Sequence, residues 1–98
     1  MRVLIADDHR LIVEGVKRAL EEAPDFEVVG ECNSGSQVLP MVGRTNPELV
    51  LLDLRMPGAD GLTCLSQIRK RYPDVKVVVL SVSTDENVIP TREPNIVR

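Results

Sequence analysis

Three aspartates offer the most pointed chemistry in this 98-residue chain. Asp7 and Asp8 close the apolar run Val3 to Ala6, and Asp53 closes the run Glu48-Leu49-Val50-Leu51-Leu52 before Leu54-Arg55-Met56-Pro57-Gly58, which must turn. A charge at the end of a buried run needs a partner. Two carboxylates about 4 Å apart repel by roughly 4 kcal/mol at an effective dielectric of about 20, so a gathered trio requires protons or a cation. Oxygen ligands with no Cys or His cluster select a hard ion, and Mg²⁺ is the abundant candidate. An aspartate beside Mg²⁺ is a plausible phosphoryl acceptor, because aspartyl phosphate is an established type of covalent intermediate and the metal neutralises the transferring group. Each residue also has an ordinary reading. Asp7 and Asp8 suit the cap of a following helix, Asp53 a solvated strand end, and Ser81 a turn. The Asp7-Asp8 pair taken with Asp53 outweighs the capping reading. His9 reads as a surface residue of the first helical turn, since one His does not make a metal site.

These carboxylates act together only if the fold gathers them. Apolar runs at Val3–Ala6, Phe26–Glu31, Leu49–Leu52 and Val75–Leu80 alternate with helical patterns, which is a βαβα sequence. Ile12, Val16, Ala19 and Leu20 form the stripe of a first helix that faces the sheet, with Arg10, Lys17 and Glu21 toward water. A second helical segment, Ser36 to Val42, carries Pro40, which is tolerable only near a helix start. A third runs from about Leu62 to Tyr72, with Leu62, Leu65, Ile68 and Tyr72 on one side and Pro73 as its stop. Strands joined by helices run parallel, so all carboxyl ends share one edge of the sheet. In the flavodoxin-like order, where the first strand lies beside the third, Asp7, Asp8 and Asp53 converge in one crevice there. Ser81 closes the fourth strand at the same edge.

Composition excludes several classes. The hydrophobic 43% is aliphatic, with Phe26 and Tyr72 the only rings, and no run is long enough to span a bilayer. No basic-then-apolar leader opens the chain, so a cytoplasmic location is the default expectation. Twelve basic against fifteen acidic side chains leave a net charge of −3, which disfavours direct nucleic-acid binding. Cys32 and Cys64 are too few and too far apart for a zinc motif and read as reduced, mostly buried thiols.

Val3-Leu4-Ile5-Ala6-Asp7-Asp8-His9, Leu51-Leu52-Asp53-Leu54-Arg55-Met56-Pro57-Gly58-Ala59-Asp60-Gly61 and Val77-Val78-Val79-Leu80-Ser81 together resemble the receiver domain of two-component response regulators. The Asp-Asp-His opening and the Met-Pro-Gly-x-Asp-Gly loop are most similar to the subfamily fused to LuxR-type helix-turn-helix output domains. The resemblance implies a three-layer α/β sandwich of strand order 2-1-3-4, with a fifth strand missing or supplied by another chain. It implies Asp53 as phosphoacceptor, Asp8 as a direct Mg²⁺ ligand, Asp7 acting through water, the Arg55 backbone carbonyl as a further ligand, and Ser81 as the switch hydroxyl. The implied partner is a sensor histidine kinase, the receiver assisting its own phosphorylation without being an enzyme in the ordinary sense. DNA would be reached only through an output domain that this chain lacks.

The match is in register over residues 1 to about 88, which are read as an incomplete receiver, with 89–98 as a divergent tail. A strand repeat near 24 residues places a fifth strand around position ~100 in this α/β pattern. The lysine that receivers carry at the end of that strand has no counterpart, since Lys17, Lys70 and Lys76 are the only lysines and none sits at the right edge. A truncation, a diverged short form and a tail that completes a neighbour's sheet all remain open. An uncovered fourth strand would favour a homodimer or larger species. The runner-up function is a phosphorylation-independent docking or dimerisation module. An acid-cluster phosphatase would want an acid at position 55, where Arg stands.

Overall fold

The computed structural model describes residues 1–80. Its strands are β1 (Arg2–Ala6), β2 (Glu27–Cys32), β3 (Leu49–Asp53) and β4 (Lys76–Leu80). Its helices are α1 (Arg10–Glu21), α2 (Val38–Thr45), which a single 3-10 turn over Gly35–Gln37 leads into, and α3 (Gly61–Arg71). Every strand pairing is parallel, as the alternation of apolar runs and helices predicts, and the order is β2-β1-β3-β4, as the receiver resemblance implies. β1 and β3 occupy the centre, and both bury their last four residues, which is why they read as unbroken aliphatic runs. At the edge, β4 alternates instead: Val77 and Val79 are buried, Val78 and Leu80 half-buried.

The sheet is the middle of three layers. On one face Leu4, Ala6, Val50, Leu52, Val77 and Val79 pack against Val38 and Val42 of α2 and Cys64, Leu65 and Ile68 of α3. On the other, Val3, Ile5 and Leu51 meet Val13 of α1, with Val16 and Leu20 half-buried beside them.

Three helical expectations need correction. In α1 the stripe is centred on Val13, and Ala19 is exposed, because Val13, Val16 and Leu20 already span the face that touches the sheet. Lys17 stays on the water-facing side, where it pairs with Glu31 of β2 at 2.7 Å. The second helix begins at Val38, two residues later than Ser36, and runs to Thr45, so Pro40 falls in its first turn, where a missing N–H costs nothing. Asn46 ends it in the left-handed region at φ 53°. In α3, Leu65 and Ile68 face the core as expected, but Leu62 is 61% exposed and Cys64 takes the inward position. Both cysteines are free and buried. Among the described residues no helix is long and apolar enough to cross a membrane.

Candidate metal and phosphoacceptor site

The parallel register brings the ends of β1 and β3 to one edge. Ala6 pairs with Cys32 on one side and Leu52 on the other, so Asp7 and Asp53 emerge next to each other. The ladder continues one residue past β1, the Asp7 N–H donating to the Cys32 carbonyl at 2.9 Å, which holds Asp7 in the plane of the sheet. Asp7 and Asp53 are the buried charged residues among those described, at 2% and 1% exposure. Asp8 projects outward with its side chain about one-third exposed, at 34%.

The capping reading of Asp7 and Asp8 gives way here. His9 is the N-cap of α1 and no side chain caps that helix end. Instead Asp7 Oδ1 accepts the His9 backbone N–H at 2.8 Å, a turn that points the carboxylate into the crevice. The imidazole follows. His9 Nδ1 lies 2.9 Å from Asp7 Oδ1, 3.2 Å from Asp53 Oδ2 and 3.3 Å from Asp8 Oδ1. One atom from each of the four residues falls within 4.8 Å of all the others. From the sequence His9 reads as a surface residue of the first helical turn. Its side chain is indeed half-exposed, but its ring closes the acidic group. Its position directly after two crevice aspartates was the only signal in the sequence.

Asp53 has two unlike oxygens. Oδ1 accepts the Arg55 backbone N–H at 2.9 Å, and Oδ2 faces His9. Burial pushes the Asp53 carboxyl above the usual carboxylate range. The Arg55 N–H pulls it back, the Asp7 carboxyl raises it again, and His9 lowers it. His9 in turn is raised, chiefly by its hydrogen bond to Asp7.

The turn after β3 is held by close backbone approach. Gly58 adopts φ +96°, and a Cβ there would meet Ser34 Oγ, while the Gly35 N–H donates to the Pro57 carbonyl at 2.7 Å. Gly61 packs so tightly on the Leu54 backbone that a Cβ would collide with it. Met56, 7% exposed, anchors the same turn in the core. The Met-Pro-Gly-x-Asp-Gly segment therefore fixes where Asp53 and the Arg55 N–H stand. Ser81 lies outside the described residues.

The donor set fits a hard divalent cation. Three carboxylates supply the oxygens, and Asp7 Oδ2 is buried with no hydrogen-bond partner, an acceptor that a cation or its hydration water would satisfy.

The response regulator receiver domain, as a sequence family, matches residues 3–92. The chain belongs to that family. Among curated proteins, this receiver is 42% identical over 89 residues to the transcriptional regulatory protein DegU of Brevibacillus brevis, covering 91% of this chain and 38% of DegU. It is 40% identical over 89 residues to the nitrate/nitrite response regulator NarL of Escherichia coli K12, covering 91% of this chain and 41% of NarL. The receiver thus spans about two fifths of these relatives' length. Among solved structures it is similar to RcsB of Salmonella enterica serovar Typhimurium bound to promoter rprA in the presence of the phosphomimetic BeF3−. There the TM-score is 0.79 at 30% identity, over 86% of this chain and 43% of RcsB.

Proposed function

We propose that this receiver accepts a phosphoryl group on Asp53 from the phosphohistidine of a sensor histidine kinase. The observation that carries the reading is Asp53 itself, 1% exposed, in a group with Asp7, Asp8 and His9, with Oδ1 tied to the Arg55 N–H and Oδ2 turned to the His9 ring. In the transfer Oδ2 forms the new bond to phosphorus as the phosphorus–nitrogen bond to the kinase histidine breaks, and the electron pair leaves with the imidazole. Asp8 and Asp53 would hold Mg²⁺ directly, the Arg55 backbone carbonyl would add a ligand, and Asp7 would act through water. The ion supplies charge neutralisation for the carboxylates and the phosphoryl oxygens. Asp7, fixed by Cys32 and His9, keeps the crevice anionic, and the Arg55 N–H keeps Asp53 oriented. Ser81 would be the hydroxyl that turns toward the new phosphoryl group.

The chain is a signalling domain and assists its own phosphorylation and dephosphorylation. Residues 1–88 carry the receiver and 89–98 a divergent tail. Its output would be transcriptional, through a DNA-binding domain outside this chain, in a cytoplasmic protein that works as a homodimer or larger species. The names of DegU and NarL and the promoter-bound RcsB support that reading.

Intact mass after incubation with acetyl phosphate and Mg²⁺ tests the proposal. A phosphate adduct is expected in the wild type and none in Asp53→Ala. An absent adduct, or an equal one in the variant, would sink it. The alternative reading is a phosphorylation-independent docking or dimerisation module. Beryllofluoride titration separates the two, because binding that Asp53→Asn abolishes belongs only to the first.

A further inference from the structure

His9 is the side chain at the crevice that phosphoryl transfer does not use. Its Nδ1 approaches three carboxylate oxygens, from Asp7, Asp8 and Asp53, at 2.9, 3.3 and 3.2 Å. A ring nitrogen carries at most one proton, so a single N–H cannot make three full hydrogen bonds. One ligand atom from each of Asp7, Asp8, His9 and Asp53 lies within 4.8 Å of the others, a group compact enough to be drawn onto one ion. Donors bound at roughly 2.0–2.2 Å to a six-coordinate ion stand about 3 Å from their adjacent neighbours, the bond length times the square root of two. His9 Nδ1 meets that spacing with all three oxygens.

A separate observation is a buried acceptor at the crevice left without a donor. The Asp7 side chain is wholly buried, its Oδ1 belongs to the group, and its Oδ2 has no partner. His9 is the N-cap of α1 but makes no side-chain cap hydrogen bond, and its half-exposed ring is held only by the crevice carboxylates.

We propose that His9 Nδ1 is a nitrogen ligand that converts the acidic crevice into a mixed nitrogen–oxygen site for a borderline divalent transition ion, with Asp7, Asp8 and Asp53 as the oxygen donors. The inference rests on the reading of this crevice as a divalent-cation site and adds a second class of ion to it. Mg²⁺ takes oxygen ligands and keeps several waters, so it has no use for the ring. Imidazole suits ions such as Ni²⁺, Co²⁺ and Zn²⁺. The same crevice then holds two kinds of ion in two ways, with His9 swung out for Mg²⁺ and swung in for a transition ion.

Calorimetric titration of the 98-residue chain with NiCl₂ and with MgCl₂, at mildly alkaline pH, tests this in the wild type, His9→Ala, His9→Gln and Asp53→Asn. Both His9 variants are expected to lose about tenfold or more in Ni²⁺ affinity, the loss that removing a ligand or its support brings, with Mg²⁺ affinity changed by less than about twofold. A smaller loss for Ni²⁺ overturns the proposal. So does a rise in Mg²⁺ affinity in His9→Ala, which would mark the ring as a stand-in cation that an ion must displace. Mg²⁺ binding that survives Asp53→Asn, or is absent in the wild type, removes the cation-site reading itself, whatever His9 does.

Discussion

The two faces of the sheet are built to different depths. Under α2 and α3, thirteen of the described residues form a continuous buried cluster, from Leu4 and Leu52 through Ile68 to Met56 in the turn beside Asp53. Under α1, four do, and Val16, Leu20, Leu49, Val78 and Leu80 remain partly open. Among the described residues, the acids therefore stand on a sheet packed more extensively on one face than on the other. The more extensively packed side also anchors the turn that presents the Arg55 N–H, whereas the α1 side carries His9, whose ring is half-exposed.

The sharpest way to break this comparison is to hollow each face in turn. Ile68→Ala, at a fully buried position, should cost about 3–4 kcal/mol of unfolding free energy, and Val78→Ala, half-buried on the thin face, about 1 kcal/mol. Urea denaturation measures both, and equal costs would show that the faces are alike. A smaller effect of opposite sign is expected at the crevice. Asp53→Asn should stabilise the metal-free protein by about 1 kcal/mol, seen as roughly 4–8 °C in Tm, because it removes a buried charge from an anionic cluster while keeping an acceptor for the Arg55 N–H.

The sign follows from the raised carboxyl. Folding favours its protonated form, so the wild type loses stability as pH climbs from the ordinary carboxylate range through the raised value. The gap between the two proteins should close below that range and shrink when Mg²⁺ is added. A gap that ignores both would tie the effect to packing instead. The smallest effect concerns the thick face alone. Burial, with a contribution from Cys64, pushes the Cys32 thiol up to about 11, so iodoacetamide at neutral pH should leave it unmodified until the protein unfolds. Prompt alkylation of the native protein would mean that this face opens as readily as the other.

Much of this architecture was legible because it follows from patterning. Four aliphatic runs separated by helical stripes dictate a parallel sheet, and a parallel sheet places Asp7, Asp8 and Asp53 at one edge. The errors came where a property belongs to three dimensions. Ala19 and Leu62 lie on plausible stripes, but the curvature of the sheet and the width of each helix contact decide which position at the margin of a stripe is covered, and period alone does not carry that. Pro40 moved the start of α2 because a proline is admitted in the first turn and nowhere later. His9 was overlooked for a different reason. Its role depends on a turn at Asp7 that folds the ring back over its neighbours, a rotation that residue type and spacing leave open.

The hydrogen bond from Arg55 to Asp53 has a stereochemical consequence. In water the two oxygens of a carboxylate are equivalent by resonance and rotation. Here a backbone N–H claims Oδ1 while Oδ2 faces the His9 ring, so the symmetry of Asp53 is broken before any reagent arrives. On the proposed function, an incoming phosphoryl group would meet one available oxygen from one direction, and the acyl phosphate formed there would have a single orientation relative to the sheet.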